Sequence, residues 1–226
     1  MIIFRLTLCA TLIMGSTTVL ARDLVLIPAQ NLEAKWLRLS YSKIPPTEYK
    51  FSEAKLSIQV DKSASPFLYP FEKPAKLKSL RVKGVLLEVP NLKPGKDDFM
   101  LRVGPAVEGQ KQLNALQRIF APKWIAELDN LARAQGRKLG HLELSVVGLK
   151  SVPSTWKQRL HPDTDLIMEE VALEIDGIGP FELQRSYSES LPPSLGLWLG
   201  SDGDNSDAQF SLRIDELMLQ FYDDDK

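Results

Sequence analysis

Apolar and polar residues alternate along most of the chain, at the spacing of two that is typical of β-strands with one buried face. The segment 56–61 (LSIQVD) places Leu56, Ile58 and Val60 on one face and polar residues on the other. The same alternation recurs at 35–41, 80–89, 99–107, 141–148, 168–176, 181–188 and 210–221. This pattern predicts a mostly β protein.

The alternation changes phase within the last of these segments. Its apolar residues have even numbers up to Ile214 and odd numbers from Leu217 onward. Because one extra residue turns every following side chain to the other face, we predict a β-bulge or a corner near Asp215–Glu216.

The segment around residues 111–136 departs from the β pattern. Its apolar residues recur at helical spacing: Leu113, Leu116, Phe120, Trp124, Leu128 and Leu131. Pro122 should divide the segment into two helices and lie near the start of the second, and Gly136 suits the end of that helix. We expect the helical pair to pack on the sheet, with a partner-binding helix as the alternative.

Together these patterns predict the architecture. No internal repeat and no Ser/Gly-rich linker divides the chain. We predict a single domain over residues 22–226, an antiparallel, jelly-roll-like β-sandwich of about eight to ten strands with a helical insertion around 111–136.

The first 21 residues have the composition of a signal peptide. Arg5 precedes a short apolar core, and Val19 and Ala21 occupy the small-residue positions of a cleavage site before Arg22. The core is shorter than the about 20 residues needed to span a bilayer. We therefore expect a bacterial protein of the periplasm or one that is secreted, with no membrane span after cleavage; a retained anchor is the alternative.

Composition excludes several classes of chemistry. Cys9, inside the predicted signal peptide, is the only cysteine. The mature chain therefore has no disulfide, cysteine nucleophile, thiolate zinc site or iron–sulfur cluster. With 28 basic and 29 acidic residues, the chain lacks the basic footprint of a protein that binds nucleic acid.

The acidic run SDGDNSD at 201–207 is the first candidate site. Asp202, Asp204, Asn205 and Asp207 are candidate metal ligands, with calcium as the candidate ion. The run is not an EF-hand, because it lacks the glycine at the sixth position and has Arg213 where the bidentate glutamate belongs. A solvated turn and a catalytic acid cluster are the alternatives.

A second candidate lies in KDDFMLR. Asp97 and Asp98 precede a strand that carries Arg102. Asp98 and Arg102 point the same way on an alternating strand, which makes an ion pair geometrically easy. Such a pair would stabilise the structure; a ligand-binding arginine or a metal-binding aspartate is the alternative.

Aromatic residues form the third candidate. Tyr69 follows the small residues of SAS at 63–65, and Trp156 is the best candidate for an exposed indole that could stack on a sugar ring. Trp124 and Trp198 lie in apolar runs and are expected in the core. The alternative for Tyr69 is also a core position.

The two histidines lie in no recognisable hydrolase or zinc-protease motif. His161, in HPDTD, could bind a metal with Asp163 and Asp165, although the segment first indicates a proline turn.

Three elements, in chain order, resemble a family of secreted bacterial proteins of unknown function: SAS, DDxxxR and SDxDN. The matching residues are Ser63, Ala64, Ser65, Asp97, Asp98, Arg102, Asp202, Asp204 and Asn205. The set is also distantly similar to the jelly-roll domains of carbohydrate-binding modules. The resemblance implies a fold rather than an activity.

Three functions follow as hypotheses. The first is a non-catalytic binding module of the cell envelope for a glycan or another envelope component, with calcium as a candidate structural ion. The second is a glycosidase-like hydrolase, with Asp98 and Asp202 as the carboxyl pair. The third is a structural or assembly protein that binds a partner through its helical insertion.

Overall fold

The computed structural model describes residues 22–28 and 33–223. The predicted signal peptide, residues 1–21, lies outside the described residues, so the division into a leader and one domain over 22–226 stays a prediction. The described strands are β1 (Arg22–Ile27), β2 (Leu37–Arg38), β3 (Glu48–Ser52), β4 (Lys55–Asp61), β5 (Ala64–Ala75), β6 (Leu77–Leu86), β7 (Leu101–Lys111), β8 (Leu139–Leu149), β9 (Gln158–Leu160), β10 (Ile167–Ile175), β11 (Gly179–Ser186), β12 (Ser194–Asp202) and β13 (Gln209–Phe221). A 3-10 turn covers Glu33–Lys35, and two helices follow β7: α1 (Ala115–Phe120) and α2 (Lys123–Ala134).

These strands form two sheets. The first, sheet A, has the order β11-β6-β13-β4-β3, and β1 pairs with the second half of β13. The second, sheet B, has the order β2-β5-β12-β7-β8-β10-β9. The predicted β-sandwich with a helical insertion is confirmed. The described residues contain more strands than the eight to ten predicted, because β1, β3, β12 and the short β9 were not identified from the sequence.

One pairing departs from the antiparallel pattern. β8 and β10 run parallel, and the chain between them returns through β9, which pairs antiparallel with β10. A parallel pair needs a crossover connection rather than a tight hairpin. This crossover carries Arg159 and His161 to the same end of sheet B as the start of β7.

The main core lies between the two sheets and follows from the alternation. In β4, Leu56, Ile58 and Val60 are buried while the residues between them are partly or fully exposed. An aromatic stack crosses this core: the rings of Trp36 and Phe67 are 4.5 Å apart, and those of Phe67 and Tyr49 are 4.7 Å apart.

A second core lies on the outer face of sheet B, where α2 packs. Trp124 and Leu128 of α2 are buried against this face, and the Trp124 ring meets that of Trp198 at 5.7 Å in an edge-to-face arrangement. The core positions expected for Trp124 and Trp198 are confirmed. Sheet B is therefore covered on both faces around β12, in which every residue except the last is buried.

The helical insertion divides as predicted, with Pro122 as the N-cap of α2 and Gly136 at φ +66° after its end. The expectation that both helices pack on the sheet is wrong for α1, which has no buried residue. Its Leu116, Ile119 and Phe120 are 66%, 74% and 78% exposed. None of the helices in the described part of the chain is long and apolar enough to cross a membrane.

The predicted bulge in the last strand is also confirmed. The register between β13 and β6 shifts between Ile214 and Glu216. As a result, Ile214 before the shift and Leu217 after it are both fully buried. β13 can thus keep one apolar face along its whole length although its sequence changes phase.

Candidate functional site

The three sequence elements SAS, DDxxxR and SDxDN meet at one end of sheet B. β12 lies between β5 and β7, and its residues Gly200 and Asp202 pair with Arg102 and Ala64 respectively. The turn that follows β12 is tied to the start of β5, because Gly203 N donates to the Ser63 carbonyl at 3.0 Å. The start of β5, the start of β7 and the end of β12 therefore form one polar end of the sandwich.

The serines of the SAS element stabilise this end from inside. Ser65 Oγ accepts the Thr47 amide at 3.0 Å, and Ser63 Oγ accepts the Asp61 amide at 3.1 Å. Both serines are buried. Their contacts are structural, and their small side chains let the neighbouring strands approach.

Arg102 is the centre of the polar end. It is 7% exposed, and its Nε donates to Glu169 Oε1 at 2.7 Å. Its Nη2 donates to the Asp97 carbonyl at 3.0 Å, and its Nη1 donates to Asp202 Oδ2. Burial opposes its charge, but the carboxylates of Asp202, Glu169 and Asp97 outweigh that effect and raise the pKa of Arg102 above its usual value.

Arg159 forms a second layer of the same network. Its Nε donates to Glu169 Oε2 at 2.8 Å, and its Nη2 donates to Asp97 Oδ1. Glu169, whose side chain has no exposed area, is therefore held by a different guanidinium at each oxygen. Charged groups buried in this way are stabilised only as a set, since each needs the others as partners.

His161 completes the network in a defined tautomer. Its Nδ1 accepts the Asp163 amide at 3.2 Å, so its Nε2 is left to donate to Asp97 Oδ2 at 2.7 Å. Its ring is grouped with Asp97 and Glu169 and not with Asp163 and Asp165, the metal set considered for this segment. Asp165 pairs with Lys111 at 2.7 Å.

Three side chains of the network lie close enough together to bind a metal, but their ligand atoms already have hydrogen-bond partners. Ligand atoms of Asp97, His161 and Glu169 lie within 4.8 Å of one another. The oxygens of Asp97 and Glu169, however, already accept hydrogen bonds from Arg102, Arg159 and His161. This group is therefore an ion-pair network that is complete without a metal.

The pKa values of two carboxyl groups at this end shift in opposite directions. Although burial acts in the other direction, the His161 hydrogen bond, the charge of Arg102 and the Arg159 hydrogen bond lower the pKa of Asp97 to about 2. Burial raises the pKa of Asp202 to about 7, against the opposing charge of Arg102 and with help from the nearby Asp98 and Asp97. The cluster has more carboxylates than its two arginines balance, and of these two groups Asp202 binds a proton more tightly than Asp97.

Two of the four predicted metal ligands are engaged elsewhere. Asp202 bonds to Arg102 and also accepts the Phe99 amide at 2.7 Å. Asp207, at the exposed side of the turn, pairs with Lys93 at 3.2 Å. Asn205 is exposed and donates its backbone amide to Asp98 Oδ1 at 3.2 Å. The metal set Asp202, Asp204, Asn205 and Asp207 stays a prediction, and its first and last members have partners.

A cleft of about 170 Å³ opens beside the network, and its walls come from several separate segments. Trp156 is half-buried at its wall, with its ring edge-to-face with Phe99 at 5.6 Å and the Arg159 guanidinium 4.0 Å from its centroid. Asp97 and Asp98 also line the cleft. The predicted ligand residues Asp97, Asp98, Arg102 and Trp156 are thus brought together, with Arg102 one layer beneath.

Tyr69 does not belong to this group. It is 5% exposed and packs against Trp36 at 5.3 Å between ring centroids. It also lines a separate cavity of about 490 Å³ together with Phe71 and Phe221. Tyr69 lies midway along β5 and in the main core between the two sheets. This is the core position predicted from the sequence as the alternative to a ligand-binding role.

Sequence reasoning missed Arg159 and Glu169 and gave His161 a different role. Arg159 lies on the edge strand β9, whose three residues carry no pattern, and Glu169 is one of two adjacent glutamates in β10. Neither belongs to a recognisable motif. For Glu169, the alternation in β10 gives one hint: it places this residue on the same face as buried Ile167, so its charge needs a partner inside the protein.

No protein-family model matches this chain, and no curated protein does. Among solved structures, "Structure of PfGH50B" is similar with a TM-score of 0.34 and 9% identity, over 91% of this chain and 24% of that one. "CBM4 structure and function" has a TM-score of 0.32 and 6% identity, over 83% of this chain and 86% of that one. This chain spans about a quarter of the first protein's length. Likenesses this weak carry no functional argument, and the resemblance to a secreted family stays a prediction.

Proposed function

We propose that the protein is an exported, non-catalytic binding module of the cell envelope, and that the cleft beside Trp156 binds a glycan. The observation that carries the proposal is the half-buried indole of Trp156 in a wall that also contains Asp97, Asp98 and Arg159. Apolar rings present a face to the apolar side of a sugar, and carboxylate and amide groups around them accept or donate to its hydroxyls. A cleft of about 170 Å³ suits one sugar unit rather than a drug-sized ligand, whose pockets measure about 300–1,000 Å³.

The network behind the cleft supports a binding role because it fixes the indole. Arg159 contacts the Trp156 ring with its guanidinium and is itself held by Glu169 and Asp97. A side chain whose position is set before binding loses little entropy when the ligand arrives. The ion pairs therefore serve as the support of the site, and the indole is the part that contacts the ligand.

A hydrolase is less well supported by the same geometry. The hypothesis needs Asp98 and Asp202 as two free carboxyl groups that flank a substrate. Asp202 is held by Arg102 and the Phe99 amide, and Asp98 is 4% exposed. A carboxylate bound to a guanidinium is a poor nucleophile and a poor base, which favours the binding module.

Pull-down on insoluble glycans tests the proposal. We expect the protein to co-sediment with at least one of cellulose, chitin, xylan or peptidoglycan sacculi, and Trp156→Ala to weaken that binding by at least about tenfold. Phe120→Ala is the matched control: it removes an aromatic ring that is 78% exposed on α1, away from the cleft. Equal binding by the two variants, or no binding of the unaltered protein to any of the four, would contradict the proposal.

One observation favours the assembly protein as a second candidate. The exposed apolar side chains of Leu116, Ile119 and Phe120 lie on one short helix that no other described part of the chain covers. A contiguous apolar surface of this kind is typical of an interaction site. The glycan proposal remains first, because its site has both a cavity and a built support.

A further inference from the structure

Asp98 is a buried carboxylate with only one of its oxygens in use. The residue is 4% exposed, and its Oδ1 accepts the Asn205 amide at 3.2 Å. Its Oδ2 is buried and has no hydrogen-bond partner among the described residues. An unsatisfied buried carboxylate oxygen is costly. Because Asp98 also lines the cleft, a group that enters from outside the chain could supply what this oxygen lacks.

Asp98 also lies beside a second carboxylate. Its Oδ1 accepts the amide of Asn205, the residue after half-buried Asp204, and burial together with the charge of Asp98 raises the pKa of Asp204. The contacts made by Arg102 and Arg159 go to Asp97, Glu169 and Asp202. Lys93 pairs with Asp207 at the exposed side of the turn. Asp98 and Asp204 make no ion pair among the described residues, so a positive charge placed beside them would be stabilised.

We propose that the free Oδ2 of Asp98 and the carboxylate of Asp204 hold a divalent cation, Ca²⁺, at the turn that follows β12. The proposal does not depend on Trp156 or on a glycan. Its ligands differ from the predicted set: they centre on a buried Asp98 oxygen that has no hydrogen-bond partner among the described residues, and not on Asp202 and Asp207, which are paired.

The donor chemistry selects the ion. The two proposed ligands are both carboxylate oxygens, and hard cations such as Ca²⁺ and Mg²⁺ prefer oxygen. Ca²⁺ accepts six to eight oxygens in irregular geometry and can complete its shell with water and backbone carbonyls, whereas Mg²⁺ demands a near-ideal octahedron. Two carboxylates are few for a calcium site, so we expect the weak affinity of extracellular modules, with Kd of about 10⁻⁴–10⁻³ M.

Thermal unfolding of the purified protein tests the site. After chelation and dialysis, about 10 mM CaCl2, which is about 10 to 100 times the expected Kd, should raise the Tm by roughly 3 to 10 °C. The same concentration of MgCl2 should raise it less. A Tm that does not change with CaCl2, or that rises equally with both salts, overturns the proposal.

Three variants locate the effect. Asp204→Asn and Asp98→Asn should each abolish the calcium-dependent rise, while Asp207→Asn, in the same turn but paired with Lys93, should keep it. If Asp98→Asn does not fold, Asp204→Asn decides alone. Loss of the rise in Asp207→Asn, or its survival in Asp204→Asn, would contradict the assignment. Glycan pull-downs repeated in chelator separate this proposal from the glycan site, because each can fail while the other holds.

Discussion

Arg102 shows how one residue can hold a whole end of the sandwich. Its guanidinium joins β7, on which it lies, to Glu169 of β10 and Asp202 of β12, and it also contacts Asp97 before β7. Without it, Asp202 would lose its cationic partner, and Arg159 alone would face the carboxylates of Asp97 and Glu169. Removal of one partner of an ion pair costs little stability at a surface. It costs much more where the remaining charges stay buried.

We therefore expect Arg102→Ala to lower the free energy of unfolding by about 3–5 kcal/mol, because it leaves Asp202 without a cationic partner and buried Glu169 with Arg159 alone. Urea denaturation measures this. Arg81→Ala is the matched control: Arg81 also lies on a strand and also pairs with two carboxylates, Glu182 at 2.8 Å and Glu216 at 3.2 Å, but its side chain is 33% exposed. Its loss should cost less than about 1 kcal/mol. Similar costs for the two variants would show that the Arg102 network is no more than a surface contact.

At the scale of single elements, α1 and α2 have similar apolar patterns but different surroundings. Phe120 on α1 is 78% exposed, and Leu128 on α2 is fully buried against sheet B. The helical period shows only which residues share a face. What covers that face depends on where the connection from β7 places each helix. No local pattern in the sequence shows that placement.

The two helices should accordingly respond differently to substitution. Phe120→Ser should change the free energy of unfolding by less than about 0.5 kcal/mol, as for a surface position. Leu128→Ala should cost about 2–5 kcal/mol, because it removes buried methyl groups and leaves a cavity. Chemical denaturation of both variants checks this. A cost above about 1 kcal/mol for Phe120→Ser would mean that α1 is covered in solution, and sedimentation of the unaltered protein would then show whether a second copy covers it.

Strands with one solvent-exposed face could be predicted from the sequence, and strands buried on both faces could not. β4 alternates because its outer face meets solvent, and the phase change in β13 even located the bulge after Ile214. β12 shows no alternation, because α2 covers its outer face and sheet A its inner face. A strand buried on both faces is a plain apolar run, and LGLWLG (195–200) was not identified as a strand.

Some residues of the candidate site have a local signal in the sequence and others do not. The DDxxxR segment, with Asp97, Asp98 and Arg102, and the acidic turn stand out because charged residues cluster there at a strand end. Their convergence depends on β12 lying between β5 and β7, which no local pattern shows. Arg159 and Glu169 join only through the crossover between the parallel strands β8 and β10.

For the molecule as a whole, the unbalanced carboxylates predict a pH dependence of stability. Asp202 has a folded-state pKa of about 7 and an unfolded-state pKa of about 3.9. Between these values the folded protein keeps a proton that the unfolded chain releases. The free energy of unfolding should therefore fall as the pH rises from about 4 to about 7, by on the order of 4 kcal/mol at most.

Asp202→Asn isolates this effect, because the amide imitates the protonated acid. In chelator, the variant should match the unaltered protein near pH 4 and be more stable near pH 8, with a flatter profile between. Urea denaturation across this range measures both profiles. If the unaltered protein gains stability as the pH rises through this window, Asp202 is ionised throughout and its pairing with Arg102 dominates.

The place of β13 in sheet A has a consequence for how the protein is made. β13 is the last described strand, yet it is the shared partner of β1, β4 and β6. A ribosome completes those three strands long before it reaches residue 209, and until then they lack the neighbour that joins them into a sheet. Contacts so distant along the chain form slowly and late. We expect sheet A of the growing chain to remain open until β13 is made, and an open chain can still be threaded through a narrow pore.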